Sequence, residues 1–303
     1  MVKKSIFMKF APLSAAVLLL SGIASCTIKE ERADCPAWLT VASKIVIPEE
    51  IRGVLSLFFY QDGKQEIHLE YPVENFRQGV DVAIPRGELE VAGIVGWPDE
   101  NISGDVLRIP YGEHCPQAWG FYEYMQVADD AEEVSLGMAL RPLFARMYIC
   151  ITGADEDYPY GLVVEGDVDG YLLASLELHH GPFLYVPDLL DKEEFDEVVN
   201  PIPGLIRESN YEDRACRVPR QDDRNLTVSL VRTLPSFGTK AEGDELDYVY
   251  TLPLGDILDR EGYDWSSDTL DDIDVLIDFA ATRVCITVDD WTKVLLMDGK
   301  YVI

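Results

Sequence analysis

The chain is 303 residues long and carries 25 basic against 55 acidic side chains, a formal net charge of −30. So acidic a surface repels phosphates and anionic headgroups, which excludes nucleic acid as a partner and argues against electrostatic membrane binding. Apolar residues make up 48% of the chain, enough to bury a core and unlike the weakly hydrophobic chains that stay unfolded.

At the N-terminus, Lys3, Lys4 and Lys9 precede an apolar stretch from Phe10 to Leu20, with Ser21, Gly22, Ala24 and Ser25 beyond it. That order predicts a secretory signal peptide over residues 1–25. The stretch is broken by Pro12 and Ser14 and is shorter than the ~20 apolar residues a membrane-spanning helix needs. Residues Ile23–Cys26 resemble a bacterial lipobox, which implies that Cys26 is acylated and heads the mature protein; a secretory peptide with a coincidental cysteine is the alternative. Several acyl chains matter here, because one short chain holds a membrane only marginally. The Lys29-Glu30-Glu31 cluster resembles the export signal that carries Bacteroidales lipoproteins to the outer surface of the outer membrane.

Residues 26–36 read as a lipidated tether ending at Cys35-Pro36. Strands follow over Trp38–Ile47, Gly53–Tyr60 and Lys64–Tyr71, the last two joined by Asp62-Gly63, a tight-hairpin signal because glycine accepts positive φ. A short strand over Val80–Ile84 stops at Pro85-Arg86-Gly87. Beyond it Leu89, Val91, Val95 and Trp97 alternate with Glu88, Glu90 and Ala92, which places an apolar face inward. Residues 98–130 read as irregular. Within them Trp119, Phe121, Tyr122 and Tyr124 form either a buried edge or an exposed platform. A strand over Val134–Leu140 closes the first unit.

The mature length favours two domains, 37–140 and 141–303. Strands in the second are expected at Met147–Thr152, Gly161–Glu165, Tyr171–Leu178, Leu226–Leu234, Asp247–Leu252, Ile273–Ala280, Val284–Val288 and Lys293–Ile303. Helices are expected at Asp188–Val199 and Leu254–Glu261. Many short strands and few helices predict β-sandwiches.

Five cysteines follow Cys26: Cys35, Cys115, Cys150, Cys216 and Cys285. Cys150 and Cys285 sit in similar segments, Met147–Thr152 and Arg283–Thr287, which places them on neighbouring strands, either bridged or as buried free thiols. Glu165, Asp167, Asp169 and Gly170 have the spacing of the first half of a calcium loop, but Leu176 stands where the closing glutamate belongs. The competing reading is an acidic turn between strands. His179-His180 reads as a turn, and the acidic run from Asp268 to Asp278 as a solvated face. No nucleophile-elbow, zincin, phosphate-loop or dinucleotide motif occurs, so no cofactor is implied and the chain does not read as an enzyme.

Four segments carry a family likeness: Cys35-Pro36 with Trp38–Val41, Pro85–Trp97, Leu140–Thr152 and Ile286–Trp291. Together they resemble the fimbrillin-associated anchor lipoproteins of Bacteroidales (the FimB/Mfa anchor family), with Arg146 where a lysine is commoner. The resemblance implies an all-β protein of two tandem transthyretin-like β-sandwich domains, at the base of a fimbria, with stalk or accessory subunits as partners. Fimbrial subunits join by strand addition at sheet edges. The C-terminal run from Lys293 is either such a strand or a hairpin of the protein's own second domain. The alternative function is a glycan-binding surface lipoprotein using the Trp119–Tyr124 platform.

Overall fold

The computed structural model describes residues 35–43, 51–153, 161–187, 190, 193, 195–196, 215–222, 224–232, 246–270, 272–279, 283–288 and 291–296. The signal peptide, Cys26, the residues of the tether before Cys35, the end of the strand expected over Lys293–Ile303 and most of the helix expected over Asp188–Val199 lie outside them.

The described residues of the first half contribute ten strands: β1 (Ala37–Ser43), β2 (Val54–Gln61), β3 (Lys64–Pro72), β4 (Val80–Ile84), β5 (Gly87–Val95), β6 (Ile102–Ser103), β7 (Val106–Arg108), β8 (Trp119–Val127), β9 (Glu133–Met138) and β10 (Arg141–Pro142). One sheet has the order β4-β1-β9 and another the order β10-β8-β5-β2-β3. Strand β1 alternates: Ala37, Leu39 and Val41 are buried while Trp38 and Thr40 face out. The β2–β3 hairpin turns at Asp62 (φ 51°) and Gly63 (φ 71°). Two successive positive φ values match the right-handed twist of the flanking strands.

The second half contributes β11 (Phe144–Thr152), β12 (Gly161–Leu172), β13 (Leu178–Tyr185), β14 (Cys216–Pro219), β15 (Thr227–Val231), β16 (Tyr248–Leu252), a helix over Leu254–Arg260, then β17 (Asp272–Asp278), β18 (Arg283–Val288) and β19 (Trp291–Leu296). One sheet runs β14-β11-β17-β18-β19. In the other, β12 pairs with β13 on one side and with β15 and then β7 on the other. Inward residues of all four sheets, among them Leu39, Phe59, Val91, Ile149, Val164, Val228 and Val275, form one continuous apolar core. Each large aliphatic or aromatic side chain so buried contributes about 1.5–3 kcal/mol.

Four sequence expectations are corrected. Residues 98–130 are not irregular throughout: β8 is a nine-residue strand between β5 and β10. Gly161–Glu165 and the start of Tyr171–Leu178 belong to one twelve-residue strand, β12, so the acidic segment between them is mid-strand and no turn. His179 and His180 lie on strand β13. The acidic run near Asp278 is largely strand β17: Asp274 is buried, Asp272 accepts from Arg146 Nε at 2.6 Å, and Asp278 pairs with Arg283 at 3.4 Å.

The two halves share a sheet. The β6–β7 hairpin from the first half extends the sheet of β12, with Arg108 opposite Gly170 and Val106 opposite Leu172. Strand β10 instead pairs with β8, Arg141 opposite Gly120 and Pro142 opposite Trp119.

Candidate functional site

Three places collect functional side chains: the seam between the halves, the β12–β13 face, and the outer face of β8.

At the seam, Tyr171 from β12 is buried, and its ring meets Trp97 edge-on with centroids 5.9 Å apart. The Tyr171 hydroxyl donates to the Leu143 carbonyl and accepts the Arg220 backbone N–H at 2.9 Å. The buried Arg220 guanidinium donates to three backbone carbonyls, those of Pro142 (3.3 Å), Trp265 (3.1 Å) and Thr269 (2.7 Å). It thereby fastens the loop after the helix to the strand connection at Pro142. A cleft of about 510 Å³ opens beside them, lined among others by Arg141, Glu177, Asp222 and Trp265. Burial, first of all, holds the Tyr171 phenol well above its usual pKa. Sequence reasoning missed this seam. Tyr171 and Arg220 stand apart in the chain, and no local pattern marks either.

On the β12–β13 face, the calcium candidates fall on a strand, and each meets a protein partner. Asp169 is buried and accepts from Arg108 Nη1 at 2.8 Å, with His179 Nδ1 at 2.6 Å from its other oxygen. Asp167 accepts from Asn225 at 2.9 Å, and Glu165 accepts from the Tyr248 hydroxyl at 2.9 Å. Tyr248 is pushed up to about 12 by burial first and then by that bond. No group of three or more acidic, histidine or cysteine side chains placed to hold a metal occurs among the described residues. The calcium-loop reading is thus corrected: an extended backbone spreads the carboxylates along the strand, where a loop would have converged them.

The cysteine pairing is corrected too. Cys150 on β11 and Cys285 on β18 share a sheet but are not on neighbouring strands, since β17 runs between them. Both stand opposite Leu276, and neither is bridged by a disulfide. Two strand spacings are about 9.6 Å, beyond the Cα separation of up to about 7 Å that a disulfide tolerates.

The aromatic block divides by strand alternation. Trp119 (7% exposed) and Phe121 (3%) face the core, while Tyr122 (37%) and Tyr124 (55%) face out. Of the four-ring platform expected from sequence, two rings are therefore surface. The C-terminal run is paired within the chain: β19 lies antiparallel to β18, with Arg283 opposite Leu296. It forms the edge of its sheet among the described residues, with Val294 exposed.

This architecture defines a class, the all-β proteins built of tandem sandwiches. No family model matches the sequence, and no curated protein does. Solved structures do. The fimbrial anchor protein Mfa2 from Porphyromonas gingivalis superposes with a TM-score of 0.56 at 12% identity, covering 85% of this chain and 99% of that one. A candidate polysaccharide-binding protein from Bacteroides thetaiotaomicron gives 0.56 at 12% identity, covering 88% and 100%. A candidate adhesin from Bacteroides ovatus gives 0.54 at 11%, covering 88% and 96%. The likeness read from the sequence to the fimbrial anchor family holds at the level of the fold. No helix among the described residues is long and apolar enough to cross a membrane.

Proposed function

We propose that this chain is a cell-surface lipoprotein, acylated at Cys26 and held at the outer membrane, that serves as anchor or minor structural subunit of a fimbria. It is non-catalytic. Signal peptide 1–25 is removed, residues 26–36 are the tether, and 37–140 and 141–303 are the two sandwich units. One observation carries the reading: the chain shares its fold with the fimbrial anchor protein over nearly the whole of both chains. The lipobox at Cys26 and the net charge of −30 support a tethered protein that repels its neighbours on an anionic surface.

Stalk or accessory subunits are the partners, joined by strand addition. The edge strand β19 supports this, because an edge leaves a row of backbone donors and acceptors that an incoming strand satisfies. The test has two arms. Labelled palmitate should mark the wild-type chain and not the Cys26→Ala variant; an unlabelled wild type ends the lipoprotein reading. Deleting the protein should release longer, detached filaments into the medium; unchanged filaments end the anchor reading.

A second reading, glycan binding, is favoured by the exposure of Tyr122 and Tyr124 on one face of β8. It predicts that Tyr124→Ala abolishes retention on a polysaccharide column.

A further inference from the structure

We propose that the β1–β9 pair is a mechanical clamp, bearing load between the N-terminal tether and the second half of the chain. The inference rests on the reading of Cys26 as a membrane anchor, since that is what puts the tether under tension.

Strand β1 lies between β4 and β9. It runs antiparallel to β4, from Ala37 opposite Ile84 to Val41 opposite Val80. Against β9 it is parallel, from Trp38 opposite Glu133 to Ser43 opposite Met138. Parallel strands begin at the same end. The tether therefore enters β1 at one end of the pair, and the chain leaves β9 at the other, reaching β10 at Arg141 and β11 at Phe144. Tension between these points draws the two strands past each other along their length. The evenly spaced bonds of a parallel ladder then share the load and must fail together. A hairpin pulled at its tip is loaded one bond at a time and opens in sequence.

Side chains reinforce the ladder. Ala37, Leu39 and Val41 are buried while Trp38 and Thr40 face out. A slip of one residue would carry Trp38 and Thr40 to the core face and the apolar set into water. No small slide relieves the load.

Arg86 guards the entrance. Its Nε donates to the Cys35 carbonyl at 2.8 Å, and its Nη1 to the carbonyls of Ala128 at 2.9 Å and Ala131 at 2.5 Å. One side chain thus ties the residue just ahead of β1 to the loop just ahead of β9, at the end where the tether pulls. Strand β3, by contrast, ends its sheet, and its hairpin tip at Asp62-Gly63 is exposed.

Single-molecule pulling tests the clamp. The chain from Thr27 to Ile303 is held at Ile303 and loaded either at Thr27 or through a tag inserted after Gly63. The expected result is a rupture force for the first half several-fold higher when loaded at Thr27. Arg86→Ala should lower that force and leave the force at the Gly63 tag unchanged. Equal forces along the two axes overturn the clamp, and that wild-type comparison stands even if the Arg86 variant fails to fold. The measurement uses isolated protein. Equal forces would leave the anchor reading intact, and unchanged filaments on deletion would leave a high rupture force intact.

Discussion

The Tyr171 hydroxyl donates to the carbonyl of Leu143, joining the middle of the second half to the connection between the halves. The same oxygen accepts the Arg220 N–H at 2.9 Å. Tyr171→Phe keeps the ring against Trp97 and leaves a buried carbonyl and a buried N–H without that partner. We expect a loss of about 1–3 kcal/mol, read as a lower urea midpoint with unchanged slope. An unchanged midpoint would show the hydroxyl to be dispensable.

Gly170 is where β7 from the first half meets β12. A Cβ there would lie 1.9 Å from the Leu107 carbonyl oxygen, which is backbone and cannot swing aside. Gly170→Ala should therefore force the β7–β12 pairing apart, costing about 1–3 kcal/mol or more by overpacking. Amide hydrogen exchange should rise at Ile109 and Leu173, whose N–H groups donate across the pairing to the Asp169 and Asp105 carbonyls. Protection equal to wild type would contradict the close approach.

The row Cys150, Leu276, Cys285 predicts thiol chemistry. Peptide mapping of protein kept under oxidising conditions should recover Cys150 and Cys285 without a bridge between them. Exposed Cys35 should react first with a thiol reagent in the native protein, and buried Cys115, Cys150 and Cys216 only after denaturation. A 150–285 bridge would mean that the strands pair in another order.

Alkali should destabilise the protein progressively from about pH 9. Burial, foremost, raises the Cys115 and Cys216 thiols well above their ordinary value of 9.0, and it raises Tyr60 from 10.0 to about 12, with help from the nearby Asp105 charge. Above the ordinary values the unfolded chain has ionised while the native state keeps its protons, so the native state binds more. Stability is intact below about pH 9 and falls as pH rises, by up to about 1.4 kcal/mol per pH unit for each buried thiol. Tyr60 joins between pH 10 and about 12. Circular dichroism in mild urea should show a midpoint that drops across this window; a flat midpoint to pH 11 would contradict it.

The elements legible in the sequence were those set by nearest neighbours. Asp62-Gly63 marked its hairpin because few residues accept two positive φ values in succession. Alternation marked the buried face at the start of β5. Alternation ceased to be a guide past Val91, where Ala92, Gly93, Ile94 and Val95 are all buried; the β6–β7 hairpin comes near that side, Asp105 reaching the field of Tyr60. The acidic segment of β12 misled for the same reason. Asp169 reads as solvent-loving, yet Arg108 and His179 arrive from other strands and allow it to be buried.

By itself the sequence determined the all-β character, the turn at Gly63 and the acidity that turns away phosphates. Those properties reside in single residues or in spacings of two to four along the chain. Only the tertiary structure decided that β6–β7 crosses to β12, that Leu276 separates two similar cysteines, that Tyr171 and Arg220 lock the seam, and that β1 lies parallel to β9. Strand partners are chosen by which apolar faces close one core together. That choice depends on residues up to 126 positions apart, and no short window of sequence contains it.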